Sequence, residues 1–337
     1  MIRINKNESP LKPLSNEQLA TIIRQAAFNL YPDDEYERFK QAYAEYHQIL
    51  PDQVIAGNGS DELIQKLMLI MPEGPALTLN PDFFMYQAYA QQVARPIEFV
   101  SSNPDLTFAL EDILNRIEEV QPSFFIMSNP HNPSGVQYST TFLTAIADKM
   151  HAVGGYFIID EAYLDFGEPY DIKMQPHIIQ MRTLSKAFGI AGLRLGVLIG
   201  TTDTIQLIQR IEHPYPLNTI TLHIAIYMFE HQAMIRDFVK HQRQLAHKLK
   251  AMFNELVSDV MVVYPSATNF VLTKGATAQS LGRYIKAHGY LPRLYDEPEM
   301  ADYVRYSIAT DEQLDELYTL IKNWRSNYDS QQNTQYS

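Results

Sequence analysis

Four short segments carry residue types that could do chemistry together. The run Thr183-Leu184-Ser185-Lys186-Ala187-Phe188-Gly189 sets one lysine among apolar neighbours, and Arg194 follows eight residues later in Leu193-Arg194-Leu195-Gly196. Burial and a nearby cation both disfavour an ammonium, so such a lysine is a candidate neutral, nucleophilic amine. Arg194 adds a planar fork that suits a phosphate. Asp160 ends the apolar run Phe157-Ile158-Ile159 and precedes Glu161-Ala162-Tyr163. A carboxylate at the end of a buried strand is costly without a partner, and a cationic ring nitrogen would be one. The plainer use of the same aspartate is as an N-cap. In Asn129-Pro130-His131-Asn132-Pro133-Ser134-Gly135, two Asn-Pro steps make a rigid loop that could hold the Asn132 amide in place, or serve only as a turn. Gly57-Asn58-Gly59-Ser60-Asp61-Glu62 opens a helix whose first N–H groups could hold a phosphate, although Ser60 and the two acids would equally make an ordinary cap. Singly, each lysine or arginine reads as a solvated surface charge. The four segments in this order shift that balance.

These segments need elements to position them. The 337 residues exceed the ~250–300 at which one core stops growing, so two domains are expected. From about residue 35 to 280 helical patterns alternate with apolar runs such as Ala76-Leu77-Thr78-Leu79, Phe124-Phe125-Ile126-Met127 and Val197-Leu198-Ile199, the pattern of a mostly parallel α/β sheet. In such a sheet ligands sit at the carboxyl ends of strands, where the four segments fall. A single long helix is expected over 222–256. Beyond it, Asn269-Phe270-Val271-Leu272 and Val304-Arg305-Tyr306-Ser307-Ile308 read as strands of a smaller α+β unit. The expected division is an N-terminal arm with part of the small domain (1–30), a large domain (31–245), a small domain (246–326) and a disordered, Ser/Asn/Gln-rich tail (327–337).

Composition excludes several classes. A net charge of −12 argues against general binding to nucleic acid or anionic membranes. The absence of cysteine removes disulfides, thiol catalysis and cysteine-ligated metals, and fits a reducing compartment. With no signal-like start and no run near ~20 apolar residues, the expectation is a cytoplasmic enzyme. His241 and His247 lack metal-binding spacing on their charged helix and read as a solvated face; no metal site is expected.

Taken in order, GNGSDE, NPHNPSG, DEAY and TLSKAFGIAGLRLG resemble the pyridoxal-phosphate aminotransferases of fold type I, the aspartate-aminotransferase-like class, from Asn7 to about residue 325. The resemblance implies a large domain with a mostly parallel sheet of the seven-stranded type and a small α+β domain. It implies that Lys186 carries pyridoxal 5'-phosphate as a Schiff base and moves the substrate proton, and that Asp160 pairs with the ring nitrogen. Asn132 and Tyr163 would contact the phenolic oxygen and Phe83 would stack on the ring. Arg194, Ser185 and the backbone amides around Ser60 and Asp61 would hold the cofactor phosphate, with Tyr31 reaching that of a neighbouring subunit in a homodimer.

Within the class, Asn5-Lys6-Asn7-Glu8-Ser9-Pro10, Tyr31-Pro32-Asp33, His213-Pro214-Tyr215-Pro216-Leu217-Asn218 and Pro292-Arg293 ahead of Val304-Arg305 are similar to the histidinol-phosphate aminotransferase family. That likeness implies a phosphorylated amine and a 2-oxo acid as substrates, in histidine biosynthesis. Arg293 and Arg305 would clamp the substrate phosphate, with Asn7 and Tyr215 also in contact with substrate. Leu11 stands where the family often has a phosphate-binding tyrosine, and Asp82 and Phe84 replace small residues. A threonine-phosphate decarboxylase, an aromatic-amino-acid aminotransferase and a degenerate cofactor-binding protein are the other readings; the last would be expected to lack Lys186 or Asp160.

Overall fold

Apolar runs bounded by turns become strands buried from both sides. The computed structural model describes residues 1–335. Among these the strands are β1 (Ile2–Ile4), β2 (Val54–Gly57), β3 (Ala76–Asn80), β4 (Ile97–Ser101), β5 (Phe124–Ser128), β6 (Tyr156–Asp160), β7 (Ile178–Thr183), β8 (Gly196–Ile199), β9 (Val262–Val263), β10 (Phe270–Lys274), β11 (Tyr290–Leu294) and β12 (Tyr303–Ser307). Seven form one sheet in the order β2-β8-β7-β6-β5-β3-β4. The run from β7 to β4 is parallel, and β8 runs against both of its neighbours.

Side-chain alternation divides the central strands between two cores. Phe124, Ile126 and Ile158 enter one cluster with Leu63, Leu67 and Ile205. Phe125, Met127, Phe157 and Ile159 enter another on the opposite face, with Ile113, Leu143 and Met150. Helices therefore cover both faces, and the polar groups are driven to the strand ends. This is the α/β architecture, with a mostly parallel seven-stranded sheet, that the resemblance implies.

The second sheet has the order β1-β11-β12-β10-β9. The three residues of β1 pair in parallel with Tyr290, Leu291 and Pro292, so the start of the chain becomes an edge of a sheet built from its end. Leu281, Ile285, Leu314, Leu317 and Ile321 from helices Ala276–Ala287 and Asp311–Gln335 share a core with Val271, Val304 and Tyr306.

Three expectations are corrected by the structure. The long helix is two, Thr219–Glu230 and Gln232–Val257, broken at His231, whose ring stacks on Tyr227 and bonds the Tyr227 carbonyl. The pattern over 16–29 reads as a helix that Tyr31-Pro32 would end, but the first helix, Asn16–Gln25, opens with a Ser15/Gln18 capping box and stops four residues short of that reading. The polar tail expected to be disordered is helical through Gln335, helped by the Arg325–Asp329 pair one turn apart. Tyr336 and Ser337 lie outside the described residues.

One contact sets how closely β8 approaches the helix Gly59–Ile70. A Cβ on Gly196 would stand 2.6 Å from the Ser60 nitrogen and 2.7 Å from the Gly59 carbonyl carbon, both backbone atoms that cannot rotate away. Gly196→Ala should lower stability by about 1–3 kcal/mol. Gly192→Ala, with nothing within 4 Å of its Cβ, serves as the control. Denaturant midpoints of the two variants against wild type give the comparison; equal midpoints would remove this constraint.

Candidate active site

Lys186 is placed by the turn after β7. It is partly buried, donates from Nζ to the Lys6 carbonyl at 3.0 Å, and stands 6.0 Å from the centre of the Tyr163 ring. Burial, then the Arg305 charge, hold its amine down at about 8, with Arg194 acting the same way and Glu8 opposing. A substantial neutral fraction near neutral pH follows.

Asp160 ends β6 and is buried. Its Oδ2 accepts from the Tyr86 hydroxyl at 2.7 Å, and its Oδ1 from the Ala162 N–H at 3.1 Å. Burial pushes its carboxyl up to about 7, despite the Tyr86 bond, and nearby Asp82 adds to the rise. Asp82, after β3, is also pushed up to about 7 by burial, although it accepts from the Ser128 hydroxyl at 2.5 Å and the Ser128 N–H at 3.1 Å. Phe83 packs edge-on to Tyr86, centroids 5.6 Å apart, and so lies one side chain from Asp160. Sequence reasoning missed Tyr86, and treated Asp82 only as a departure from small residues. The signal available was one acid and one phenol on either side of Phe83 at a strand end.

The loop after β5 is held at its base. Asn129 is fully buried and exchanges two hydrogen bonds with the Tyr138 backbone. His131 bridges Ser134 at 2.7 Å and the Pro81 carbonyl at 2.9 Å; burial lowers its pKa to about 4, so it is neutral at pH 7. Asn132 is left at the loop's tip, where its Oδ1 accepts from Arg305 Nη1 at 2.5 Å.

At the start of helix Gly59–Ile70, Asn58 makes no side-chain cap. Gly59 has a φ of +82°, and a Cβ there would stand 2.5 Å from Arg194 Nη2. Arg194, itself at φ 54°, donates to Asp61 Oδ2 at 2.5 Å. Ser60, Asp61 and Arg194 are thus gathered at one helix N-terminus. Ser185 is buried one residue before Lys186, its N–H bonded to Thr183 Oγ1 at 3.2 Å.

The second sheet supplies the other wall. Arg305 on β12 and Arg293 on β11 are directly opposite in the antiparallel register. Arg305 lies over the Phe270 ring at 5.0 Å and donates to the Asn5 carbonyl at 3.2 Å. Arg293 pairs with Glu297 at 2.9 Å. Asn7 is buried with a left-handed φ of 58°, which asparagine tolerates. Its amide donates to the Tyr163 hydroxyl at 2.8 Å, its Oδ1 accepts from Ser307 at 2.7 Å, and its carbonyl accepts from Asn269 at 3.0 Å.

The structure places two candidates elsewhere. Tyr31 and Tyr215 stack on each other, centroids 4.5 Å apart, and are 77% and 50% exposed. They line a surface groove with Asn58 and Glu62, next to the helix start that Arg194 contacts. Leu11 packs against the main apolar core, and its carbonyl accepts from Ser9 at 2.9 Å.

A family model described as aminotransferase class I and II matches residues 2–321. A curated relative from Hydrogenobaculum, named histidinol-phosphate aminotransferase, is 31% identical over 333 residues, covering 95% of this chain and 92% of its own. Another of that name, from Clostridium novyi, is 29% identical over 337 residues, covering 97% and 92%. The solved histidinol-phosphate aminotransferase of Sinorhizobium meliloti, in complex with pyridoxal-5'-phosphate, superposes with a TM-score of 0.82 at 23% identity, covering 97% of this chain and 91% of that one. The strand-end site and the match over nearly the whole length agree: this chain belongs to the aminotransferase class I and II family.

Proposed function

We propose that this transaminase uses pyridoxal 5'-phosphate and interconverts histidinol phosphate plus 2-oxoglutarate with imidazole acetol phosphate plus glutamate. The observation that carries the substrate reading is the direct pairing of Arg293 with Arg305 across β11 and β12. Like charges opposite each other destabilise a sheet, and a phosphate dianion between them offsets that repulsion. The names of the relatives point to the same substrate.

The residues fit the cofactor. Glycine at 59 lets the Arg194 guanidinium lie against the helix start, so backbone N–H groups and a planar fork serve one phosphate. Asp160 has one side-chain donor among the described residues, the neutral Tyr86, and a protonated ring nitrogen supplies the cation its burial calls for. Bound there, the cofactor supplies an electron sink for the carbon that carries the substrate amine. Lys186 would hold the cofactor covalently and, once the substrate amine has displaced it, its neutral form would take and return the proton at that carbon. Asp160 keeps the ring nitrogen protonated. Asn132 and Tyr163 hydrogen-bond the phenolic oxygen, Phe83 stacks on the ring, and Ser60, Asp61, Ser185 and Arg194 hold the phosphate. Arg293 and Arg305 hold the substrate phosphate, with Asn7 at its edge.

Phe28, Leu30, Tyr31 and Tyr215 expose large apolar surface beside the cofactor phosphate site. A patch of this kind suits a subunit interface, and a homodimer in which Tyr31 completes the partner's site uses it. Among the described residues no helix is long and apolar enough to cross a membrane, and a cytoplasmic location is the reading that the absence of cysteine supports.

A steady-state screen of amino donors and acceptors tests the substrate: glutamate should form from histidinol phosphate and 2-oxoglutarate. Carbon dioxide release from threonine phosphate, or preference for phenylpyruvate, would overturn the assignment. Lys186→Ala should cut turnover by about 10⁴-fold or more, and a variant of comparable rate would remove Lys186 from the chemistry. A pH series on cofactor-free protein tests Asp160. Its carboxyl is held up at about 7 when folded, against about 3.9 unfolded. Between those values the folded state binds more protons, so stability falls as pH rises through 7. Asp160→Asn loses that share, and its melting temperature should fall less than wild type's between pH 5 and 7.5. Parallel curves would show that Asp160 carries no such cost.

A further inference from the structure

Tyr295 follows β11 directly, two residues beyond Arg293, so strand alternation sends both side chains to one face. The Arg293 guanidinium stands 5.1 Å from the centre of the Tyr295 ring, and Arg305 is opposite Arg293 on the neighbouring strand. The ring itself is supported by a small cluster of Leu106, Tyr264, Leu272, Met300 and Tyr303, which fixes where its hydroxyl points.

That hydroxyl is enclosed and has no hydrogen-bond partner among the described residues. The other site phenols are engaged: Tyr163 with Asn7, Tyr86 with Asp160, Tyr170 with Glu161. A buried tyrosine hydroxyl almost always finds a partner, and leaving one unmade is costly. Arg305 Nε, in the same region, is also enclosed and unpartnered. Burial raises the Tyr295 pKa even though Arg305 and Arg293 pull the other way, so the group is a donor at neutral pH. Two unused donors beside two guanidinium groups call for an anion with more acceptor oxygens than the planar forks alone can serve.

We propose that Tyr295 donates its hydroxyl hydrogen to the distal phosphate of the substrate, and with Arg293 and Arg305 makes the site select a phosphate over a carboxylate. This rests on the reading of the two arginines as the substrate-anion clamp. A carboxylate has two oxygens in one plane and is satisfied by an arginine fork. A phosphate has a third oxygen out of that plane, and Tyr295 serves it. The two half-reactions should therefore respond differently: the phosphorylated substrate uses Tyr295, and glutamate does not.

The test is the Tyr295→Phe holoenzyme, which keeps the ring and its packing. The KM for histidinol phosphate should rise on the order of tenfold or more, the loss of one hydrogen bond to a charged group. The KM for glutamate, kcat and the absorbance of the bound cofactor should stay at wild-type values, and the melting temperature should not fall. An unchanged KM for histidinol phosphate, or equal rises for both substrates, overturns the proposal. Histidinol separates this from the underlying reading. If wild type turns over histidinol as well as histidinol phosphate, the function assigned above falls, and calorimetric binding of O-phospho-L-threonine decides on Tyr295. Weaker binding by the variant supports the contact; equal binding, or none by wild type, overturns it.

Discussion

The site is divided between two sheets, and the N-terminal arm is what holds the halves in register. Asn7 bonds Tyr163 on one side and Ser307 and Asn269 on the other. The carbonyls of the two preceding residues continue the seam: Lys6 receives the Lys186 amine and Asn5 receives Arg305. Three consecutive residues thus touch the groups proposed to carry the chemistry and the group proposed to carry substrate recognition. A left-handed turn at Asn7 makes this possible, because it presents side-chain amide, backbone N–H and carbonyl in different directions. The pairing of β1 with β11 anchors the arm, since buried backbone polar groups must find partners. Moving the second sheet would strain the seam at several bonds at once, so closure of the site and order in the arm are one equilibrium.

Against that frame, the charges are arranged at unusual expense. Asp160 and Asp82 are both buried and served mainly by neutral donors, and Asp82 is close enough to raise the proton affinity of Asp160. Beside them Glu161 is fully satisfied: Arg182 at 2.6 Å, Tyr170 at 2.6 Å and Gln180 at 2.8 Å. The contrast between adjacent residues is informative. Glu161 behaves as a structural anion, balanced within the chain. Asp160 has only neutral donors among the described residues and no cation to balance its charge, and groups of this kind mark functional sites.

Much of this was legible in the sequence, and the reasons differ by residue. The central strands were readable because their apolar runs are almost unbroken. β7 was not, because Gln180 and Arg182 interrupt it; both are there for Glu161, a partner 19 and 21 residues away. β1 could not be read, since three residues become a strand only through a neighbour nearly 290 positions later in the chain. Asp160, Asn132 and Arg194 each follow or precede a readable strand, Lys186 follows the unreadable β7, and their grouping came from topology. The Tyr86 bond to Asp160 and the Asn7 network depend on side-chain direction, which no local pattern records. The tail misled because composition speaks to solvation, whereas its helix is supported by Arg325 and by Trp324 stacked on Tyr328.

Substrate choice is the property that the fold leaves open. The cofactor half of the site is built on strands of the seven-stranded sheet, whose ends are fixed by two packed cores. The recognition half sits on β11 and β12 and in the segment after them, where one residue's identity changes an anion's surroundings without touching Lys186. Arg305 links the halves through Asn132, at the tip of the loop after β5. Arg293, tied to Glu297 and more exposed, has the looser attachment. A dianion that recruits Arg293 from Glu297 exchanges one surface ion pair, worth little, for a bond within an enclosed site. Discrimination between a phosphate and a carboxylate then comes from the second arginine and the groups around it, since either anion satisfies the first.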